Sequence, residues 1–413
     1  MTLKNRLAMV LLISLSILAS TGYAQTLNSE RAGFSTDGLD RIIDYFETEV
    51  DEGHIPGAIS LIYRNGHFAQ QVAIGYDRLD VKNSMELDQI FYIQSMTKPI
   101  VTTGIMILYE EGHFDLNDPV SKYLPWFRDM KVGTIIVDPD SGEERIDYNL
   151  AERQVTIAHL LTHTSGFSHG LGSSIIEQLY SQELYEKDHK NIESRANTLS
   201  RLPLVHEPGS EWYYSASHDI IALLIEKFSG NSTDLFLKER LFRPLGMNDT
   251  GYNILRDSRS RASTLHWKDE DGRLEVSSRQ TETSGNKIFG GTHGLFSTAE
   301  DYMKFCLMLL NNGEYNGQRI LGRKTVELMT MNHTEDKFPE NGVGFGLGVL
   351  VVQNPALQEL PGSAGVYGWS GAFNTYFFID PKEDLIGILM MQYAPYTGFY
   401  YRKYRQMVYQ ALE

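Results

Sequence analysis

Ser95, Met96, Thr97 and Lys98 set a hydroxyl and an amine three residues apart. Residues i and i+3 share one face of a helix, so this spacing places the Ser95 hydroxyl beside the Lys98 amine at a helix start. A serine hydroxyl is a poor nucleophile until a neighbouring base takes its proton. A lysine can be that base only if its pKa falls from about 10.4 towards neutrality. Burial pushes it that way, and so does the positive end of a helix dipole, which also favours negative charge on the serine oxygen. The chemistry such a pair supports is acyl transfer through a covalent acyl-serine.

Other spacings suggest other chemistry and fail on context. Ser284 to Lys287 repeats the Ser-x-x-Lys spacing inside a polar, Gly-rich stretch without helical periodicity. Gly166-Phe-Ser168-His-Gly170 matches G-x-S-x-G, but a nucleophile elbow needs a strand before it, and the preceding residues have helical periodicity. His159 and His163 have i, i+4 spacing, yet Leu160 stands where a zinc protease carries its Glu. Gly342 to Gly348 lacks the last glycine spacing of a phosphate loop and reads as a strand that packs closely. His293, in a Gly-rich run, reads as a cleft or core residue.

The elements that must position Ser95 and Lys98 follow from periodicity. Helices are expected at 37–50, 95–111, 156–164, 220–228, 233–241, 298–311, 322–331 and 400–412, with 170–250 mainly helical. Strands are expected at 58–64 and 67–75, joined by an Asn65-Gly66 turn. Further strands are expected at 344–352, 365–371, 375–380 and 385–392. Strands at both chain ends with helices between them imply one antiparallel sheet, flanking helices and a helical second lobe. A cleft between the lobes is the expected site, with the insert at 170–205 forming one wall. Asp138 to Glu144 is the most loop-like stretch.

Composition narrows the classes. The 413 residues carry 37 Lys and Arg against 53 Asp and Glu, a net charge of −16, which speaks against a nucleic-acid partner. A single cysteine, Cys306, excludes an intramolecular disulfide and a Cys-rich metal site. Met1 to Ala24 has a basic start at Lys4 and Arg6, an apolar run at 7–18, and small residues at Gly22 and Ala24. It reads as a secretory signal peptide, whose removal takes the charge to −18. No later stretch is apolar enough to span a bilayer, so an exported protein of the bacterial periplasm or medium is expected.

The run Phe91-Tyr-Ile-Gln-Ser-Met-Thr-Lys-Pro99 resembles the active-site segment of the serine β-lactamase-like hydrolases. That family includes class C β-lactamases, penicillin-binding proteins and family VIII carboxylesterases. Leu116-Asn-Asp-Pro-Val-Ser-Lys-Tyr-Leu124, Thr156-Ile-Ala-His-Leu-Leu-Thr-His-Thr-Ser-Gly166 and Pro208-Gly-Ser-Glu-Trp-Tyr-Tyr-Ser215 follow in the family's order. Gly290-Gly-Thr-His-Gly-Leu-Phe-Ser-Thr-Ala-Glu-Asp301 and Trp369-Ser-Gly371 complete the set. The resemblance spans essentially the whole chain after the leader.

It implies an α/β (α+β), β-lactamase-like fold in a single catalytic domain, 25–413. The α/β lobe would hold about 31–90 and 286–413, and the helical lobe about 91–285. It implies Ser95 as nucleophile, Lys98 as base and Tyr214 as proton relay, with the backbone N–H groups of Ser95 and Ala372 as oxyanion hole. Trp369, Ser370 and Gly371 would form the substrate-binding strand. Two departures matter. Ala216 stands where β-lactamases carry an Asn that binds the substrate amide. Trp369 stands where they carry the Lys of Lys-Thr-Gly, so an ion pair with a substrate carboxylate is lost and apolar area gained. Both point to the esterase branch and to a small-molecule ester or related acyl substrate, with no cofactor and no metal. Alternatives are a β-lactamase, a D-Ala-D-Ala-type peptidase, an acyltransferase, or an inactive cell-wall-binding module.

Overall fold

The computed structural model describes residues 27–413. The expected leader lies outside them. Both chain ends build one eight-stranded antiparallel sheet. Its N-terminal strands are β1 (Gly57–Arg64), β2 (His67–Arg78) and β3 (Asn83–Ser84). Its C-terminal strands are β4 (Val343–Phe345), β5 (Leu350–Val352), β6 (Tyr367–Gly371), β7 (Thr375–Asp380) and β8 (Leu385–Met390). The order across the sheet is β4-β5-β6-β7-β8-β1-β2-β3. Ile62 of β1 sits opposite Gly387 of β8, so the two chain ends meet in the middle of the sheet.

The central strands are buried on both faces, and alternation divides their side chains. Ala58 and Ile62 join Phe378 and Leu389 in a core under α1 (Thr36–Asp51) and α5 (Phe399–Gln410). Ile59 and Leu61 point the other way and join Phe377, Ile386 and Ile388 in the main core. Two more helices fill that core, α2 (Thr97–Glu110) and α4 (Ala299–Leu310). Residues 97–108 of α2 are all buried, so α2 meets solvent only at its C-terminal end, at Tyr109 and Glu110. It packs against α3 (His218–Ser229).

The structure corrects two sequence expectations. The helix expected at 95–111 starts as a 3-10 turn, Gln94–Met96, and becomes α-helical only at Thr97. The strand expected over 344–352 is two strands, with Val343 paired to Val352. Gly346 to Gly348 reverse the chain between them. Gly348 has a φ of +74°, and a Cβ there would lie 2.2 Å from Thr102 Oγ1 of α2, so glycine answers both conformation and space. Between 91 and 285 the mainly helical stretch also carries short strands. Lys131–Val137 and Glu144–Leu150 form a hairpin around the loop-like stretch, and His266–Lys268 and Leu274–Val276 form a small sheet with Tyr393–Ala394. Lys131–Val137 does not alternate, Glu144–Leu150 is mostly charged or polar, and the other strands are very short, so their signal was weak in the sequence.

Candidate active site

Ser95 sits on the 3-10 turn between the short strand Phe91–Tyr92 and α2. Gln94 holds a φ of 47°, a left-handed conformation that is strained for a non-glycine residue. It breaks the line of the strand one residue before the serine. Met96 is fully buried and anchors the turn, and its carbonyl accepts a hydrogen bond from Tyr302 Oη at 3.0 Å.

Lys98 is also fully buried. Its Nζ donates to Tyr214 Oη at 2.6 Å, to the Thr292 carbonyl at 2.9 Å and to Ser95 Oγ at 3.3 Å. Tyr214 Oη in turn donates to Ser95 Oγ at 2.7 Å. The three polar atoms thus form a closed triangle. Burial lowers the pKa of Lys98 to about 7, against a smaller opposing pull from Asp219. Burial raises that of Tyr214 to about 12, against its hydrogen bond to Ser95. Near neutrality the pair is therefore an amine that titrates and a phenol that keeps its proton. An uncharged amine in contact with a serine hydroxyl can take its proton.

A buried ion pair steadies the triangle from behind. Arg195 Nε donates to Asp219 Oδ2 at 2.6 Å. Asp219 Oδ1 accepts from the Thr292 N–H at 2.9 Å, and the Thr292 carbonyl holds Lys98. Burial pushes the Asp219 pKa up, but Arg195, His293 and the hydrogen bonds from Arg195 and Thr292 win and bring it to about 2.

Tyr214 lies in an irregular segment before α3, so packing must fix its ring. His169 stacks on it with ring centroids 5.4 Å apart and planes 18° apart, and Trp212 at 6.2 Å and 21°. Trp369 lies at 5.6 Å and meets Phe345 edge-on at 5.2 Å. The indole at the position of the β-lactamase lysine is therefore part of an aromatic wall.

Ser95, Tyr214, Trp369, Ser370, Gly371 and Ala372 all line one cavity of about 710 Å³. Lys98 touches it only through Ser95 and Tyr214. β6 lies inside the sheet, yet only Tyr367 and Gly368 pair with β5. Residues 369–371 run past the end of β5 and present an edge to the cavity, paired only with β7. A Cβ on Gly371 would lie 2.3 Å from Thr375 Oγ1 and 2.5 Å from the Ile93 carbonyl. Glycine there lets β6 close on the turn that carries Ser95.

The other candidates are elsewhere. Ser168 is buried and donates to Glu177 Oε1 at 2.5 Å. His163 lies beyond the helix Ile157–Leu161, where its Nδ1 accepts from the Ser215 N–H, so His159 and His163 do not share a helix face. Ser284 and Lys287 lie in a stretch with no helix. Cys306 is buried in α4. His293 lines the cavity, with its Nδ1 3.1 Å from Tyr92 Oη.

Sequence reasoning did not single out His169, Leu171, Tyr185 and Tyr396, which also line the cavity, or the Arg195–Asp219 pair behind it. His169, Leu171 and Tyr185 belong to or border the insert expected to form a wall. Arg195 gave no signal, because its helix shows an ordinary charged position. Among the described residues, no helix is long and apolar enough to cross a membrane.

The family model for beta-lactamase matches residues 42–411. A protein of Mycobacterium tuberculosis without a characterised activity is 32% identical over 360 residues, covering 84% of this chain and 88% of its own. Esterase EstB of Burkholderia gladioli is 24% identical over 376 residues, covering 87% and 91%. Among solved structures, EstCE1, described as a hydrolase with promiscuous acyltransferase activity, superposes with a TM-score of 0.76. It is 24% identical and covers 90% of this chain and 99% of its own. An antiparallel sheet built from both chain ends, a Ser-x-x-Lys turn at the start of a buried helix, and a family match over nearly the whole described chain agree: the protein belongs to the beta-lactamase family and is an enzyme of that family's serine-hydrolase kind.

Proposed function

We propose that the protein is an exported carboxylic-ester hydrolase that works through an acyl-enzyme on Ser95. The observation that carries this reading is the Ser95–Lys98–Tyr214 triangle, at 2.6, 2.7 and 3.3 Å, opening on a cavity whose lining includes no Asp, Glu, Lys or Arg. Such a cavity offers no ion-pair partner to a substrate carboxylate, which a β-lactam or D-Ala-D-Ala peptide would bring. It suits an uncharged ester.

Ser95 Oγ attacks the ester carbonyl as its proton passes to the uncharged amine of Lys98, directly or through Tyr214 Oη. The backbone N–H groups of Ser95 and Ala372 receive the developing oxyanion; each such donor is worth roughly 3–4 kcal/mol in the transition state. Tyr214, a phenol that keeps its proton, delivers one to the departing alkoxide and recovers it from Lys98. Water then releases the acid by the reverse sequence. Trp369, Ser370 and Gly371 align the ester along the exposed edge of β6. Export rests on the leader pattern of Met1 to Ala24 and is tested by N-terminal sequencing of protein from a periplasmic fraction, where a start at Gln25 is expected.

The test of the reaction is a rate comparison on short p-nitrophenyl esters and a chromogenic cephalosporin, with fluorophosphonate labelling and peptide mapping. Faster ester turnover is expected, with the label on Ser95. An unlabelled Ser95 in folded protein would sink the acyl-enzyme reading. Faster cephalosporin turnover would sink the choice of ester.

A further inference from the structure

Three large side chains in the lining of the active-site cavity are open to solvent. Leu171 is 72% exposed, Tyr396 46% and Tyr185 42%, and all three line the same cavity as Ser95. They come from three separate segments: the loop after Ser168, the turn Gln182–Glu186 and the stretch after Tyr393–Ala394. Both tyrosine hydroxyls are already engaged. Tyr185 Oη lies 2.7 Å from His169 Nδ1, and Tyr396 Oη lies 3.0 Å from Ser370 Oγ. What the two rings offer a bound molecule is therefore mainly carbon.

Leu171 is held at this rim from both sides. The Gly170 N–H donates to Ser168 Oγ at 2.9 Å, and the Gly172 N–H donates to Glu177 Oε2 at 3.0 Å. Glu177 is buried, and its Oε1 accepts from Ser168 Oγ and, at 2.8 Å, from Tyr213 Oη. Gly170 has a φ of +74°, and a Cβ there would lie 2.6 Å from the Ser181 nitrogen, so the loop packs closely on the helix Ile175–Ser181. The leucine thus stays in water by construction of the loop. An apolar group that covers it removes that unfavourable contact. The cavity lining carries no Asp, Glu, Lys or Arg, so no charged side chain competes for the space. An exposed apolar patch continuous with a binding cavity marks where a ligand lies.

We infer that Leu171, Tyr185 and Tyr396 form a chain-binding subsite, and that the substrate is an ester with a linear apolar chain of several carbons reaching from Ser95 to this rim. Leu171 is the specificity-determining residue of the subsite. The inference rests on the reading of Ser95 as the nucleophile of an ester hydrolase. The chain has the same chemistry whether it belongs to the acid or to the alcohol of the ester, so the experiment has one arm for each.

The first arm measures kcat/KM on p-nitrophenyl acetate, butyrate and hexanoate. The second measures it on ethyl, butyl and hexyl acetate by titrating the acid released. Each methylene taken from water is worth about fourfold in binding. A rise of about tenfold or more from the shortest to the longest member is expected in one series; the acyl series rising assigns the chain to the acid, the alkyl series to the alcohol. Leu171→Ser is expected to lower the ratio of longest to shortest member in that series by about fourfold, and Leu171→Met to retain it. Leu171 is mostly exposed, so the fold does not depend on it, and the two series on the native protein stand without the variants. Rates that are level or falling with chain length in both series, or an unchanged ratio in Leu171→Ser, overturn the subsite. No turnover of any ester, or a Ser95 left unlabelled by a fluorophosphonate, would instead overturn the reading beneath it.

Discussion

Lys98 is a cation by composition and an amine by environment. Its ordinary pKa is 10.5, and burial within α2 brings it to about 7. The protonated form cannot accept the Ser95 proton, so kcat/KM is expected to rise with pH through about 7 as one proton leaves Lys98. It should then stay level until Tyr214 loses its proton at about 12. A pH–rate profile on an uncharged ester checks this, and activity that is flat from pH 5 to 9 contradicts it. Asp219 holds the Lys98 pKa up, against burial. Asp219→Asn removes that negative charge, so the acidic limb should move to lower pH. The same change leaves the Arg195 guanidinium buried without its counter-ion, at a cost of roughly 3–5 kcal/mol. A lower Tm with an unmoved limb would leave Asp219 a purely structural residue.

At the scale of elements, the site depends on how closely β6 approaches the turn before α2. Gly371 permits it, because a methyl group there would meet both Thr375 Oγ1 and the Ile93 carbonyl at less than 3 Å. Gly371→Ala must push β6 away from Ser95 or shift the turn. A displacement near 1 Å at a reacting group costs on the order of a hundredfold in rate. Gly371→Ala is therefore expected to lose about that factor in kcat, with a smaller change in KM, measured on the same p-nitrophenyl ester. Full activity in folded Gly371→Ala would show that the two elements are not tightly coupled. The elements themselves were mostly legible in the sequence. Long apolar periods gave α1, α4 and α5, and Asn65-Gly66 gave the β1–β2 hairpin. The β4–β5 hairpin was not legible, because Gly344, Gly346 and Gly348 carry no periodicity of their own and the reversal depends on packing against α2.

At the scale of the molecule, the buried amine weakens the fold that holds it. Between pH 7 and 10.5 the unfolded chain holds a proton on Lys98 that the folded chain has released. Stability from this group therefore rises with pH across that window, and below it the full cost of burying the cation is present. Lys98→Met removes the titration. Its gain in unfolding free energy over the native protein should be larger at pH 6.5 than at pH 10, by on the order of 4 kcal/mol. Urea unfolding at the two pH values measures this, and a gain independent of pH would contradict the burial argument. Hydrogen bonds lost to Tyr214 and Thr292 lower the gain at both pH values alike.

The sequence by itself singled out the Ser95–Lys98 pair and determined the class of fold. The Ser95–Lys98 spacing is local, and ordered motifs along the chain repeat those of a known family. It also indicated the missing ion pair, since Trp369 in place of lysine is a property of one position. Only the tertiary structure decided what surrounds that pair. Tyr214 is 116 residues from Lys98 in the chain, yet the two share a hydrogen bond. His169, Trp212 and Trp369 reach the Tyr214 ring from separate segments, and Arg195 meets Asp219 from another helix. Periodicity reports which face of an element is apolar. It does not report which faces meet, and the pKa of Lys98 is set by that meeting.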